Sequence, residues 1–494
     1  MGILAYILLG IYTLALAYIT IYCLLQLHLL YYYKRNQRQG KEPKRLLASK
    51  EGQLPLVTIQ LPIFNEKYVV ERLIDKIMQF DYPKDKLEVQ VLDDSIDETV
   101  EISRKKVEEY QSKGFDIKLF HRKDRSGYKA GALKAATVHA KGEYIAIFDA
   151  DFLPRRDFLL STIPHFINPD IGLVQTRWVH INEDYSLITR LQAMQLNVHF
   201  TVEQQGRSAG NCLLQFNGTA GIWRRKTIED AGGWEADTLT EDLDLSYRAQ
   251  LKGWRIVYLE KFPSPAELPA EMYSLKSQQY RWMKGGAENA RKLLPAVWGS
   301  KLRFSQKLHA SAHLMASGVF IFVFISGVFS VPLLFALHQL GIPPSFFAIF
   351  MVSLLCIISV YYVANVQAEL KEESYGKLLF KFVFLFPLFL ALSMGLSLHN
   401  TIAVLQGYRG KKSPFVRTPK FNIQTIRDTF RKRSYIAAKL SWTTVCEGLL
   451  AVYFAGGFIY GLYLQSNPFL MFHFLLAIGF GTIFYYSVRH LGYK

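Results

Sequence analysis

EYIAIFDADF, residues 143–152, is a β-branched and aromatic run that ends in two carboxylates one residue apart. Its apolar residues are continuous rather than alternating, which is the pattern of a strand covered on both faces. Three other runs also read as strands: LPLVTIQLPIFNE (54–66), LEVQVLDDS (87–95) and FDIKLFHR (115–122). Helical patterns lie between strands, VVERLIDKIMQF (69–80) and ETVEISRKKVEEYQ (98–111). Alternating strand and helix predicts an α/β domain with a mostly parallel sheet and helices on both faces. Ligands of such sheets bind beyond the carboxyl ends of the strands. Asp93, Asp94, Asp149 and Asp151 all fall at those ends.

This domain, residues 55–300, is enclosed by apolar stretches at 1–33, 309–338, 345–368, 377–405, 441–464 and 468–488. The stretches 309–338 and 345–368 contain no Lys, Arg, Asp or Glu, and each is long enough to cross a hydrocarbon core of about 30 Å. The first stretch lacks a basic start and a small-residue cleavage site, so it reads as a retained anchor. The chain is therefore expected to be a multi-pass α-helical membrane protein. Its net charge of +17 is not spread evenly. Residues 34–54 hold seven Lys/Arg against two Glu, and 406–440 hold ten against one Asp. The short connections 339–345 and 465–468 hold none. Basic loops stay cytosolic and neutral ones cross, which puts the linker 34–54, the domain and the loop 406–440 in the cytosol. An even number of crossings must then separate the domain from 406–440, yet three apolar stretches intervene. The third, 377–405, carries Lys377, Lys381 and Pro387 and ends in polar residues, so it is read as an interfacial helix, with crossing as the alternative. No recognition-helix or RNA-binding signature accompanies the charge, which excludes nucleic acid. The four cysteines are scattered, without metal-ligand spacing.

Asp149-Ala-Asp151 offers paired hard oxygen ligands of the kind Mg²⁺ or Mn²⁺ takes together with substrate phosphates; alternatively it is a polar strand end. Asp93 and Asp94 are placed to accept from a nucleotide base, because Ser95 and Asp97 can cap the following helix. RSGYKAGALKAA (125–136) brings Arg125 and Lys129 to a helix start, where a diphosphate is favoured. It lacks the spacing of a Walker loop. TLTEDLDLSYRAQLKGW (238–254) puts Glu241 and Asp242 at another helix start, where a carboxylate stays ionised, as a general base or as a cap. The two glycines of FNGTAGIWRR (216–225) suggest close backbone approach to a ligand. QQYRWMKGG (278–286) sets Gln278, Arg281 and Trp282 shortly before the membrane.

Together DDS (93–95), DAD (149–151), TED (240–242) and QQYRW (278–282) resemble, in order and interval, the family 2 glycosyltransferases that build β-linked polysaccharides: cellulose, hyaluronan and chitin synthases. The wording FNGTAGIWRR, EDAGGW, LTEDLDLSYRAQLKGW and ELPAEMYSLKSQQYRW is most similar to the cellulose synthase-like mannan and glucan synthases. The resemblance implies a GT-A-type fold. It implies nucleotide-sugar binding by Asp93, Asp94, Lys129, Asp149, Asp151 and Arg281, with Asp151 at the metal, Mg²⁺ or Mn²⁺. It implies Asp242 as the base, and Glu241, Gln278 and Trp282 at the acceptor. In that family a gating loop with an F-x-V-T-x-K signature covers the nucleotide. This chain has Phe415, Thr418 and Lys420, with Arg417 in place of the usual Val.

The implied reaction is inverting transfer of a hexose from UDP-glucose or GDP-mannose to a growing β-1,4-linked polysaccharide, with translocation across a plasma, inner or Golgi membrane. Partners are then the nucleotide sugar, the polysaccharide and the bilayer, with an oligomer or accessory export proteins beyond them. Two rivals remain. One is a glycosyltransferase adding a single sugar to a ceramide or polyprenyl lipid, which product length separates from the first. The other is a transporter or scaffold that only binds nucleotide sugar, against which the lack of charge within the core apolar segments argues.

Overall fold

The computed structural model describes residues 2–39, 54–369, 373–423, 428, 440–465 and 467–490. Most of the linker 34–54 and the distal part of the loop 406–440 thus lie outside the described residues. Helix α1 (Gly2–Gln39) precedes the domain. The order then runs β1 (Val57–Ile63), α2 (Val70–Ile77), β2 (Leu87–Asp93), α3 (Thr99–Ser112), β3 (Asp116–His121), α4 (Tyr128–Thr137) and β4 (Tyr144–Ile147). It continues through α5 (Phe158–Thr162), β5 (Ile171–His180), α6 (Leu187–Val198), α7 (Gln204–Ala209), β6 (Gly221–Arg224), α8 (Arg225–Asp230), α9 (Glu241–Leu251), β7 (Arg255–Ala266) and α10 (Met272–Gly299).

The strands form one sheet in the order β3-β2-β1-β4-β6-β5-β7. β6 is antiparallel to both neighbours and the other pairs are parallel. Every residue of β2 and β4 is buried, Glu88 and Gln90 of β2 included, so the sheet is covered on both sides. α2 supplies part of that cover: Val70, Leu73, Ile74 and Ile77 recur at helical spacing and are buried. β1 and β4 run side by side in parallel, so their carboxyl ends open together above one edge of the core.

The remaining helices are α11 (Phe304–Leu314), α12 (Val319–Leu340), α13 (Met351–Tyr362), α14 (Tyr375–Gly395), α15 (Ser397–Tyr408), α16 (Trp442–Tyr463) and α17 (Asn467–Arg489). Among the described residues, six helical segments are long and apolar enough to cross a membrane: 3–39, 316–337, 346–367, 375–395, 442–463 and 469–489. Large apolar side chains such as Ile3, Leu355, Phe384, Leu449 and Ile459 stand exposed on their outer surfaces, which suits lipid and not water. The result is a multi-pass membrane protein carrying an α/β domain. Two expected segments are subdivided. The stretch 309–338 breaks at 315–318 between α11 and α12, and 377–405 is two helices, α14 and α15, rather than one.

Candidate active site

A cleft opens beyond the carboxyl ends of β1, β2 and β4. Asp94, Lys129, Asp149, Asp151, Glu241, Asp242, Gln278, Arg281, Trp282, Phe415, Thr418 and Lys420 all line it. Residues scattered from 94 to 420 therefore converge on one cavity, and of the expected site residues only Asp93 is absent from its walls. Asp93 is the last residue of β2 and fully buried. Its Oδ1 accepts the Ser95 backbone N–H at 2.8 Å, and its carbonyl bonds His121 Nδ1. Successive strand side chains face opposite ways, so Asp93 closes the turn after β2 while Asp94 reaches the cleft. Asp94 is not free either: Arg122 grips it from two nitrogens.

Asp149 and Asp151 follow β4. Lys129 Nζ donates to Asp149 Oδ1 and to the Gly218 carbonyl. Burial disfavours the charge on Lys129, but Asp149, Glu241 and Asp242 outweigh it and hold its pKa above the ordinary value. Lys420 Nζ donates to Asp151 Oδ2 at 2.7 Å, and the Glu267 N–H donates to the same oxygen. Glu267 was not anticipated. Its carbonyl accepts from Lys420 and its Oε1 from the Phe421 N–H, so it ties the 411–423 segment to the carboxylates. Burial pushes its carboxyl up to about 7.

Glu241 and Asp242 open α9. Asp242 Oδ1 accepts its neighbour Leu243 N–H at 2.9 Å. Burial, and then the adjacent Glu241 charge, raise the Asp242 pKa well above the usual carboxylate range. The helix start thus does not keep this carboxyl strongly acidic as expected, because desolvation outweighs it. Gly218 has φ +80°, and a Cβ there would lie 3.1 Å from Asp242 Oδ2 and 3.5 Å from Lys129 Nζ. The first glycine of FNGTAGIWRR lets the backbone pass against the Asp242 carboxylate, whereas the sequence suggested a close approach to a ligand.

Gln278, Arg281 and Trp282 are three and four residues apart on α10 and so share one face. Arg281 donates to Thr418 Oγ1 at 2.8 Å and sits over the Phe415 ring at 4.5 Å. Arg417 makes a two-pronged pair with Glu66, at 3.0 and 2.7 Å, with both side chains nearly buried. Glu66 lay within the quoted 54–66 run, but nothing in the sequence joined it to Arg417, 351 positions away. Elsewhere, Glu235, Asp237 and Asp244 form an acidic cluster, but Lys292 Nζ holds all three at 2.6–2.9 Å.

A second cavity of about 340 Å³ shares Trp178, Leu196, Asn217, Thr240, Asp242 and Trp282 with the cleft. It runs on to Tyr22, Phe320, Tyr361 and Phe389, between membrane helices.

The profile of the family described as glycosyltransferase-like family 2 matches residues 55–285, the stretch that builds this sheet and most of the cleft. Those residues belong to family 2 of the glycosyltransferases. The glycosyltransferase domain is also similar to glucomannan 4-beta-mannosyltransferase 1 of Oryza sativa subsp. japonica, 42% identical over 299 residues, 59% of this chain and 56% of that protein. Glucomannan 4-beta-mannosyltransferase 2 of Arabidopsis thaliana is 44% identical over 261 residues, 52% of this chain and 49% of that protein. The chain spans about half the length of these curated relatives. Among solved structures, a mannosyltransferase from Pyrobaculum calidifontis in complex with GDP-Man and Mn²⁺ superposes with a TM-score of 0.51 at 21% identity. That superposition covers 82% of this chain and 100% of the other, and it shows the GT-A-like fold of the glycosyltransferase domain.

Proposed function

We propose that the protein is a membrane-embedded, inverting family 2 hexosyltransferase that extends a β-1,4-linked mannan or glucomannan from GDP-mannose, and passes the product into the membrane. The observation that carries this reading is the adjacency of the two cavities, which share walls at Asp242 and Trp282. A donor cleft alone suits any sugar transfer. A donor cleft that shares its base and a wall with a cavity between membrane helices suits a product that leaves that way. The names of the curated relatives favour mannose over glucose. UDP-glucose is the second donor, because a glucomannan contains both sugars.

Asp94, Lys129, Asp149, Asp151 and Arg281 bind the nucleotide sugar. Asp149 and Asp151 suit a divalent cation, Mg²⁺ or Mn²⁺, since both present hard oxygens to the cleft and each already holds a lysine ammonium. When bound, such a cation neutralises charge on the leaving diphosphate. Asp242 takes the proton of the acceptor hydroxyl while that oxygen bonds C1 of the sugar. The bond from C1 to the phosphate oxygen breaks from the opposite face, which inverts the anomeric centre. Lys129 and Arg281 meet the departing charge. Trp282, at the junction of the cavities, offers a flat face to the acceptor ring, with Gln278 and Glu241 at its rim. Phe415, Thr418 and Lys420 close the cleft from the basic segment.

The glycosyltransferase domain and this segment face the cytosol in our reading. Contact of Arg417, Thr418 and Lys420 with the domain requires both to lie on one side of the bilayer. α12 and α13 then cross, and α14 with α15 turns back. In support, Leu378 and Phe382 of α14 share an apolar cluster with Ile188, Leu191 and Met272 of the domain. α14 packs at Ala391 and Gly395 against Gly479, midway along α17. α15 returns to α10, where Gly407 meets Lys284 and Ala287.

Asp242→Asn tests the assignment. Turnover should fall by about 10²–10⁴ while nucleotide affinity stays near wild type. Equal loss of both would make Asp242 a structural residue or a nucleotide ligand.

A further inference from the structure

The wall shared by the two cavities carries an amide whose donor is unused. Asn217 precedes Gly218, which touches Asp242, and it lines both the cleft and the second cavity. Its side chain is more than nine-tenths buried, yet Nδ2 has no hydrogen-bond partner among the described residues. A buried N–H without a partner is costly, and its natural partner is whatever enters the cavity.

The orientation of this amide is fixed by its surroundings. His199 Nε2 and Gln215 Nε2 both converge on Asn217 Oδ1, at 2.8 and 2.9 Å. Gln215 in turn offers its Oε1 to His313 Nε2 at 2.8 Å, and His313 Nδ1 faces the Tyr247 hydroxyl at 2.8 Å. Burial holds the His313 pKa well below its ordinary value, so the ring is neutral and carries one proton. Gln215 Oε1 can only accept, so that proton sits on Nε2 and Tyr247 donates to Nδ1. The chain of donation therefore runs Tyr247, His313, Gln215, Asn217. On the other side, His199 Nδ1 meets Glu203 Oε2 at 3.0 Å, and Arg207 flanks that carboxylate. His199, held between the Glu203 carboxylate and Asn217 Oδ1, donates to both as the imidazolium; with Gln215 Nε2 donating as well, Oδ1 takes both contacts and Nδ2 is left for the cavity.

We propose that Asn217 is the acceptor-orienting residue: its Nδ2–H donates to the sugar hydroxyl beside the attacking one and so turns the attacking oxygen toward Asp242. The inference rests on the polymerase reading above. A hexose stacked on Trp282 is free to rotate about the stacking axis. One directed donor at the rim removes that freedom, and orientation of the nucleophile is worth a large factor in rate. Water, a competing nucleophile, needs no such orientation. Asn217 thus biases the site toward chain extension over hydrolysis of the donor.

The test uses full-length protein in membranes, with whichever labelled donor, GDP-mannose or UDP-glucose, the wild type consumes. Polymer-bound and free sugar are measured in the same sample. Their ratio is independent of the amount of folded enzyme. Asn217→Asp keeps the size and the two accepted bonds, replaces the donor by an acceptor and adds a negative charge near Asp242, so it is read together with the uncharged Ala variant. Asn217→Ala loses all three. Both should lower the ratio of polymer to free sugar by about 10-fold or more, with nucleotide affinity within about 2-fold of wild type. Tyr247→Phe, remote from the sugar, removes the outermost donor of the relay and should shift the ratio the same way by about 2- to 5-fold. An unchanged ratio in the Asn217 variants overturns the inference, as does nucleotide affinity that falls in step with it. A wild-type protein that yields only free or lipid-linked sugar overturns the polymerase reading itself.

Discussion

At Asp242 two demands meet. The carboxyl must be desolvated to face a sugar, and desolvation makes it a stronger base. Its raised pKa has a kinetic consequence. Transfer needs the ionised form, so kcat should climb as pH rises from mildly acid to neutral, above the range where an ordinary carboxylate has already lost its proton. A pH profile of kcat checks this; an acid limb at the ordinary carboxylate position contradicts it. The sign for stability is opposite. The folded protein holds this proton more tightly than the unfolded chain does, so ionisation destabilises the fold as pH rises. Asp242→Asn should therefore raise the unfolding temperature more at pH 8 than at pH 5, even as it removes activity. The sequence made these carboxylates legible because they cluster at strand and helix ends. It did not separate Asp93 from Asp94, since neighbouring acids at a strand end differ only in which way the pleat turns them. Asn217 was quoted within its motif without a role, because its meaning lies in partners at 199, 215, 247 and 313.

Among the elements, the 411–423 segment depends most on contacts far along the chain. Arg417 stands where related loops carry Val, and Glu66 answers it with a two-pronged pair. Removing one partner leaves a buried charge unmatched. Arg417→Met and Glu66→Gln should each reduce kcat/KM by about 10-fold, and the double variant should be no worse than either single one. Additive losses would show that the two act separately. Lys420→Ala, which removes the ammonium from Asp151 and leaves it the Glu267 N–H, should weaken nucleotide binding, read directly as a Kd for GDP. The strands from 57 to 147 and their helices followed from apolar pattern alone, to within a few residues. The break at 315–318 and the division of α14 from α15 did not, since an apolar run has the same composition whether the helix through it is whole or broken.

At the level of the whole molecule, charge distribution and contact geometry agree on one arrangement. In the arrangement we propose, the described basic segment 409–420 and the glycosyltransferase domain lie on one side, five helices cross, and α14 with α15 returns. Cysteines introduced at Asp124 and Lys412 should react with a membrane-impermeant maleimide from the same side of sealed vesicles, and one at Gly341 from the other. Labelling of positions 124 and 412 from opposite sides would mean that α14 crosses. The central claim is that the reaction builds a chain and sends it into the cavity between the helices. The most direct measurement incubates membranes carrying the protein with radiolabelled GDP-mannose or UDP-glucose in the presence of Mg²⁺ or Mn²⁺. Ethanol-insoluble label that a β-mannanase releases, with UDP-glucose incorporated only as a secondary donor, is the predicted result. Label confined to the lipid extract would contradict it and assign the domain to a lipid acceptor.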